Sequence, residues 1–148
     1  MSQYIFRFWS WVVFTFVWAV ALIALHLFPS SYWMDVRKVH ISDAKVGTSP
    51  EMVVDRTISH PFTATWSANV RTWENGGWAI FCQAQGGGDY KVDAKFPLRL
   101  DLNWWTGGKC ANLPSGKYMV TTVWTWNPPG IIPNQQKGPI DSNVFEIR

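Results

Sequence analysis

Residues 8–28 run for 21 positions without one Asp, Glu, Lys or Arg. As a helix at 1.5 Å per residue the run spans roughly 32 Å, about the thickness of a bilayer's hydrocarbon core. A stretch this long with no polar face does not suit a helix buried in a soluble core. A cleaved signal peptide fits poorly too, because cleavage needs small residues just before the cut, after a shorter apolar core. Cutting after Ser30 puts Phe28 three positions back, cutting after Ser31 puts Pro29 there, and Ala19 and Ala21 lie inside the run. The reading is an uncleaved signal anchor: residues 1–31 form a short tail and a transmembrane segment, and residues 32–148 form one domain. The bilayer is the first expected partner, through residues 8–28. Tyr4, Phe6, Phe8, Trp9 and Trp11 at one end, and Tyr32 and Trp33 at the other, suit two interfacial aromatic belts. His26 sits close enough to the interface to reach water. Thr15 and Ala19 make one small-xxx-small pair, which offers a route to a homo-oligomer.

The flanking charges do not orient this anchor. Arg7 and the α-amino group stand on one side, Arg37 and Lys38 on the other, and a simple count does not favour an inside N-terminus. The cysteines argue the other way. Cys82 and Cys110 are the only two in the chain and match neither a CxxC nor a metal-ligand spacing. Behind a membrane anchor a disulfide is the default, which places the domain on the oxidising side; the alternative is two buried thiols. The bond would close a loop of about 29 residues and stabilise by roughly 3–4 kcal/mol in the chain-entropy model.

Residues 32–148 carry 12 Lys or Arg against 10 Asp or Glu, a net of +2. The charges are interspersed and no basic cluster forms, so nucleic acid is not an expected partner. No stretch of the domain keeps a helical period over three turns. Short alternating runs with turn signals dominate, the pattern of an antiparallel sandwich or barrel. Strands are expected at 36–41 and 52–58. The clearest is 62–73, where Phe62, Ala64, Trp66, Ala68 and Val70 alternate with Thr63, Thr65, Ser67, Asn69 and Arg71. Asn75-Gly76-Gly77 turns the chain and 78–85 returns as its hairpin partner. Gly86-Gly87-Gly88-Asp89 reads as a second turn, followed by a strand at 90–95. Leu98, Leu100, Leu102 and Trp104 alternate against Arg99, Asp101, Asn103 and Trp105. Strands at 117–126 and 143–148 complete a set of seven or eight. Residues 127–142, rich in Pro and Gly, read as a long loop, and long loops are either functional or loosely ordered. Within it, Ile131 and Ile132 either pack back on the sandwich or offer an apolar contact to a partner.

Two resemblances add to this reading. Leu113-Pro-Ser-Gly-Lys-Tyr118-Met-Val resembles the turn into a strand of immunoglobulin-like and fibronectin-like bacterial domains, where the Tyr hydroxyl bonds back to the loop backbone. A true immunoglobulin domain would place a Cys two residues after this Tyr, where Val120 stands, so the resemblance implies an Ig-like sandwich only. Nearly the whole chain is similar to uncharacterised small membrane-anchored proteins of tailed phages and prophages of proteobacteria. Val46-Gly-Thr-Ser-Pro50, Asp55-Arg-Thr-Ile58, Pro61-Phe62, Trp66, Cys82, Asp89-Tyr90, Leu100-Asp-Leu-Asn-Trp-Trp-Thr106, Cys110, Trp126 and Pro128-Pro129 carry that similarity. It implies a phage or prophage origin and a periplasmic domain on a bacterial inner membrane, crossed once. It implies no activity.

Catalytic chemistry is not expected. His40 and His60 fall on different strands or strand ends, and no H-x-x-x-H, G-x-S-x-G or HExxH pattern occurs. His60 before Pro61 suits a turn. Asp89, Asp93 and Asp101 lack EF-hand spacing and read as solvated carboxylates rather than a calcium site. Gly86-Gly87-Gly88 opens no helix, so it is no phosphate cradle. No cofactor is expected. Tryptophan is the unusual feature, with eight of eleven in the domain, more than a small core readily absorbs. On a regular strand Trp104 and Trp105 would face opposite ways, and Trp73 falls on a polar register. The expectation is a binding protein, its leading form an interaction module for an envelope or phage protein. The candidate contacts are Trp73, Tyr90, Trp105, Ile131 and Ile132. A glycan- or peptidoglycan-binding module using Trp73, Tyr90 or Trp105 is the alternative, and a structural subunit of a membrane-containing assembly is a third.

Overall fold

The structure, a computed structural model, describes residues 2–92 and 97–148, with side chains from Arg7 onward. Helix α1 spans Ser2–His26. Among the described residues it is the one helix long and apolar enough to cross a membrane, with mean hydropathy 2.1 over residues 7–26 and no part of that window buried. Two of its polar side chains bond within the helix: Thr15 Oγ1 donates to Trp11 O at 2.8 Å, and His26 Nδ1 lies 2.9 Å from Leu22 O. In hydrocarbon an unpaired polar group would be costly. The helix ends at His26, two residues short of the uncharged run. Phe28 turns away and packs on Tyr32 and Trp33, with ring centroids 5.1 and 5.2 Å apart. Ser30–Tyr32 form a 3-10 turn. Trp33 is only 4% exposed, sealed against Trp126 in the domain core, so it does not belong to an interfacial belt. Tyr32 remains exposed. The side chains of Tyr4 and Phe6 lie outside the described residues.

The domain is a β-sandwich of two antiparallel sheets. One sheet orders β1 (Met34–Ile41), β2 (Glu51–Ile58) and β5 (Leu98–Asp101) side by side. The other orders β4 (Gly77–Tyr90), β3 (Phe62–Glu74), β6 (Gly116–Trp126) and β7 (Gln135–Asp141), with β8 (Phe145–Ile147) also on β6. The alternation of β3 places Ala64, Ala68 and Val70 in the core and leaves Thr63, Thr65 and Ser67 exposed. Val120, Tyr118, Trp124 and Trp126 of β6 meet Val39, Ile41, Met52 and Ile58 of the facing sheet in one core, and burial of these large side chains is the main stabilising term. Tyr118 donates its hydroxyl to Pro114 O at 2.9 Å, closing the turn before β6. Cys82 and Cys110 are bonded, with Cα atoms 5.8 Å apart. In constant-type immunoglobulin domains the fourth strand joins the first, second and fifth; here β4 joins the third.

Four stretches depart from the sequence reading. Gly86-Gly87-Gly88 is no turn: β4 continues through it, Gly86 to Gly88 pairing with Trp66 to Ala64. Tyr90 therefore ends β4 rather than opening a strand, and residues 93–96 lie outside the described residues. Strand 98–105 stops at Asp101, and Leu102–Trp105 form a single helical turn, α2. Asp101 caps it, accepting from Trp104 N at 2.8 Å, as an N-cap side chain does. The long 127–142 loop is half strand, because β6 needs a partner beyond β3 and Gln135–Asp141 supplies it.

Candidate binding site

Where the sheets diverge, the edge strands β4 and β5 leave a cleft of about 270 Å³ between them. That is slightly below the usual range for small-molecule sites and large enough for one apolar side chain or ring. Leu98 and Leu100 of β5 form one wall, and Gly87, Gly88 and Tyr90 of β4 the other. Trp66 and Trp124 close the floor, and Arg56, Trp104 and Trp105 border the mouth. Glycine shapes it: a Cβ on Gly86 would stand 2.6 Å from Trp66 Cζ2, so the indole lies flat on bare backbone. A larger depression of about 510 Å³ on the outer face of the same sheet is lined by Thr65, Ser67, Gln85 and Thr125 among others. It lacks converging apolar walls.

Most rings in the cleft face one another. Trp105 stacks on Trp66 with centroids 4.2 Å apart and planes 18° apart. Tyr90 is covered on one face by Phe62 at 5.0 Å, and the Arg56 guanidinium lies 4.9 Å from its centroid. Burial pushes the Tyr90 hydroxyl above its ordinary pKa, partly offset by the nearby Arg56 charge and by hydrogen bonding with Trp124 and Arg56. It is therefore a neutral hydroxyl throughout the physiological range. Trp104 differs. The helical turn throws it outward, and at 72% exposed it is the open ring at the mouth.

The predicted residues separate in space. Tyr90 and Trp105 share the cleft. Trp73 is exposed, but it packs edge-on to Trp78 beside the Asn75-Gly76 turn, about 36 Å of strand from Phe62 and Tyr90. Ile131 and Ile132 split the two expectations made for them: Ile132 is half-buried against the core, and Ile131 is 77% exposed. Asp89 accepts from Thr63 Oγ1 at 2.7 Å and Asp101 caps α2; Asp93 lies outside the described residues. Among those residues no group of three or more His, Cys, Asp or Glu is placed to hold a metal. Sequence reasoning passed over Arg56, Leu98, Leu100, Trp66 and Trp104 as site residues. The Asp at 101, three before Trp104, was a readable cap signal; nothing in the sequence marks Arg56.

Beside the cleft runs a second feature. β4 is 14 residues long and pairs on one side only, with β3. Among the described residues its outer edge makes no backbone–backbone hydrogen bond. Its one charged residue is Asp89 and it has no Pro or Lys of its own, but Cys82 ties its middle to Cys110 and Lys109 lies beside Gln83 and Gln85, which leaves residues 86–90 as the stretch beside the cleft. Ile80 and Phe81 are exposed along it. No protein-family model, no curated protein and no solved structure matches the chain.

Proposed function

We propose that the chain is a membrane-anchored interaction module that takes an extended segment of a partner protein along the outer edge of β4. A side chain of that segment enters the cleft. In strand addition, main-chain hydrogen bonds supply affinity and pockets for alternate side chains supply specificity. The observation that carries the reading is the adjacency of the one-sided β4 edge at residues 86–90 to an apolar cleft. Mutual stacking of Trp66, Trp105, Tyr90 and Phe62 makes the cleft pre-formed, which lowers the cost of binding. The module acts by binding, not catalysis. The disulfide supports an oxidising compartment, and with the anchor it favours a periplasmic domain on a bacterial inner membrane. The Tyr118 bond supports reading the sandwich as Ig-like, and a phage or prophage origin rests on the sequence resemblance.

The test is a random-peptide library panned against the full chain in nanodiscs, compared with Gly88→Trp. A Cβ at Gly88 meets no atom within 4 Å, so the new indole fills the cleft without breaking the fold. Expected are enriched peptides with one large apolar residue, losing at least tenfold in affinity for Gly88→Trp while its Tm stays within a few degrees. No enrichment, or equal affinity for the filled variant, overturns the proposal. One observation favours a glycan: the open Trp104 ring, since an exposed aromatic face can stack on a sugar. Oligosaccharide binding that disappears with Trp104→Ala would select that reading.

A further inference from the structure

The end of the domain from which the anchor departs carries exposed apolar residues of its own. Three residues separate His26 from Ser30, four steps and at most about 14 Å of chain. The 3-10 turn after them is fastened to the sandwich at several points. Ser59 N donates to Trp33 O at 2.9 Å. Tyr32 stacks on His60 at 3.9 Å, and Trp33 meets Trp126 edge-on at 6.3 Å. With α1 in a bilayer, this end of the sandwich would lie at its surface.

Residues 127–134 spring from the same place. They are bounded by Trp126, which packs on Trp33, and by Gln135, where β7 begins; β7 also touches the 3-10 turn. The segment reads Asn-Pro-Pro-Gly-Ile-Ile-Pro-Asn, without a charge. Gly130, at φ 80°, makes the bend that projects Ile131, and Ile132 folds back to pin the loop to the core. Val92, two residues past the end of β4 at the same end, is also exposed.

We infer that this loop is a second membrane contact, with Ile131 seated in the headgroup–acyl boundary beside the anchor. Apolar residues at that boundary remove area from water without having to span the core. Tyr32, exposed next to the helix exit, is the residue type that favours the same depth. The contact fixes the tilt of the sandwich on the bilayer, which a single helix leaves free.

Power saturation of spin labels tests the inference on the full chain in phosphatidylcholine–phosphatidylglycerol nanodiscs. One label sits at Ile131→Cys and the other at Val144→Cys, an exposed apolar position at the opposite end, next to β8. Both side chains are largely outside the core, so both variants fold, and their Tm values check it. Expected is a label at 131 several-fold more accessible to oxygen than to an aqueous nickel chelate, with the ratio reversed at 144. Two labels that both read as aqueous, or that read alike in lipid, overturn it.

Discussion

A single methyl group at Gly86 tests the packing that shapes the cleft. An alanine Cβ there would fall 2.6 Å from Trp66 Cζ2 and 2.8 Å from Cε2, closer than such atoms approach. The indole has little room to retreat, because Trp105 lies on it at 4.2 Å. Overpacking of this kind costs about 1–3 kcal/mol, and replacing a strand glycine by alanine returns about 0.5–1 kcal/mol. Gly86→Ala is therefore expected to destabilise by about 1–2 kcal/mol. At Gly88, two residues on, nothing lies within 4 Å of the added Cβ, so Gly88→Ala gains about 0.5 kcal/mol with no opposing clash. The two variants should differ by about 2 kcal/mol, or about 8 °C in Tm for a domain of this size. Tryptophan fluorescence during urea and thermal unfolding of the detergent-solubilised chain reads the difference directly. Trp105→Ala supplies the internal control: it frees Trp66 to move, so the cost of Gly86→Ala shrinks in the double variant. A Gly86→Ala protein at least as stable as Gly88→Ala would refute the flat stacking of Trp66 on bare backbone.

Three further outcomes are expected. Opening the Cys82–Cys110 bond lowers stability by about 3–4 kcal/mol in the chain-entropy model, seen as a lower urea midpoint with reductant that Cys82→Ala/Cys110→Ala reproduces and reductant no longer shifts. Tyr118→Phe loses the bond to Pro114 O and costs about 1 kcal/mol by the same assay. Asp101→Ala removes the α2 cap and costs about 1 kcal/mol at neutral pH. The Trp104 N–H, then the Ser49 hydroxyl, holds the Asp101 carboxyl below the usual range, so its contribution is present above the unfolded value near about 3.9 and fades as pH falls through the lower folded one. The gap between wild type and Asp101→Ala in urea midpoint should accordingly close below about pH 4.

What the sequence made legible follows from which forces are local. The long apolar helix needs only length and the absence of charge, and β3 needs only strict alternation; both read directly. The glycine run misled because three glycines usually mean backbone freedom. Here none of the three has positive φ, and Gly86 is required by an indole twenty residues earlier in the chain, a constraint invisible to local reading. Leu98 to Trp105 fits alternation and a capped helical turn equally well, and the contact of Trp105 with Trp66 decides between them. β7 has no period of its own, since Gly138-Pro139 interrupts it; its strand character comes from the open edge of β6. Tyr90 and Trp105 were recognisable as aromatic excess. Their neighbours Leu98, Leu100 and Arg56 enter the site only through tertiary pairing.

With α1 as the proposed anchor, the short junction to the sandwich makes it a post rather than a leash. Trp66, at the floor of the cleft, lies four residues along β3 from Phe62 at the α1 end, about 13 Å of strand. On the proposed function, a partner would have to offer its extended segment in that low band above the lipid. The juxtamembrane stretch of another anchored protein meets the condition without cost, whereas a ligand fixed further out must be drawn inward first. Height becomes a filter on partners, separate from the chemistry of the cleft.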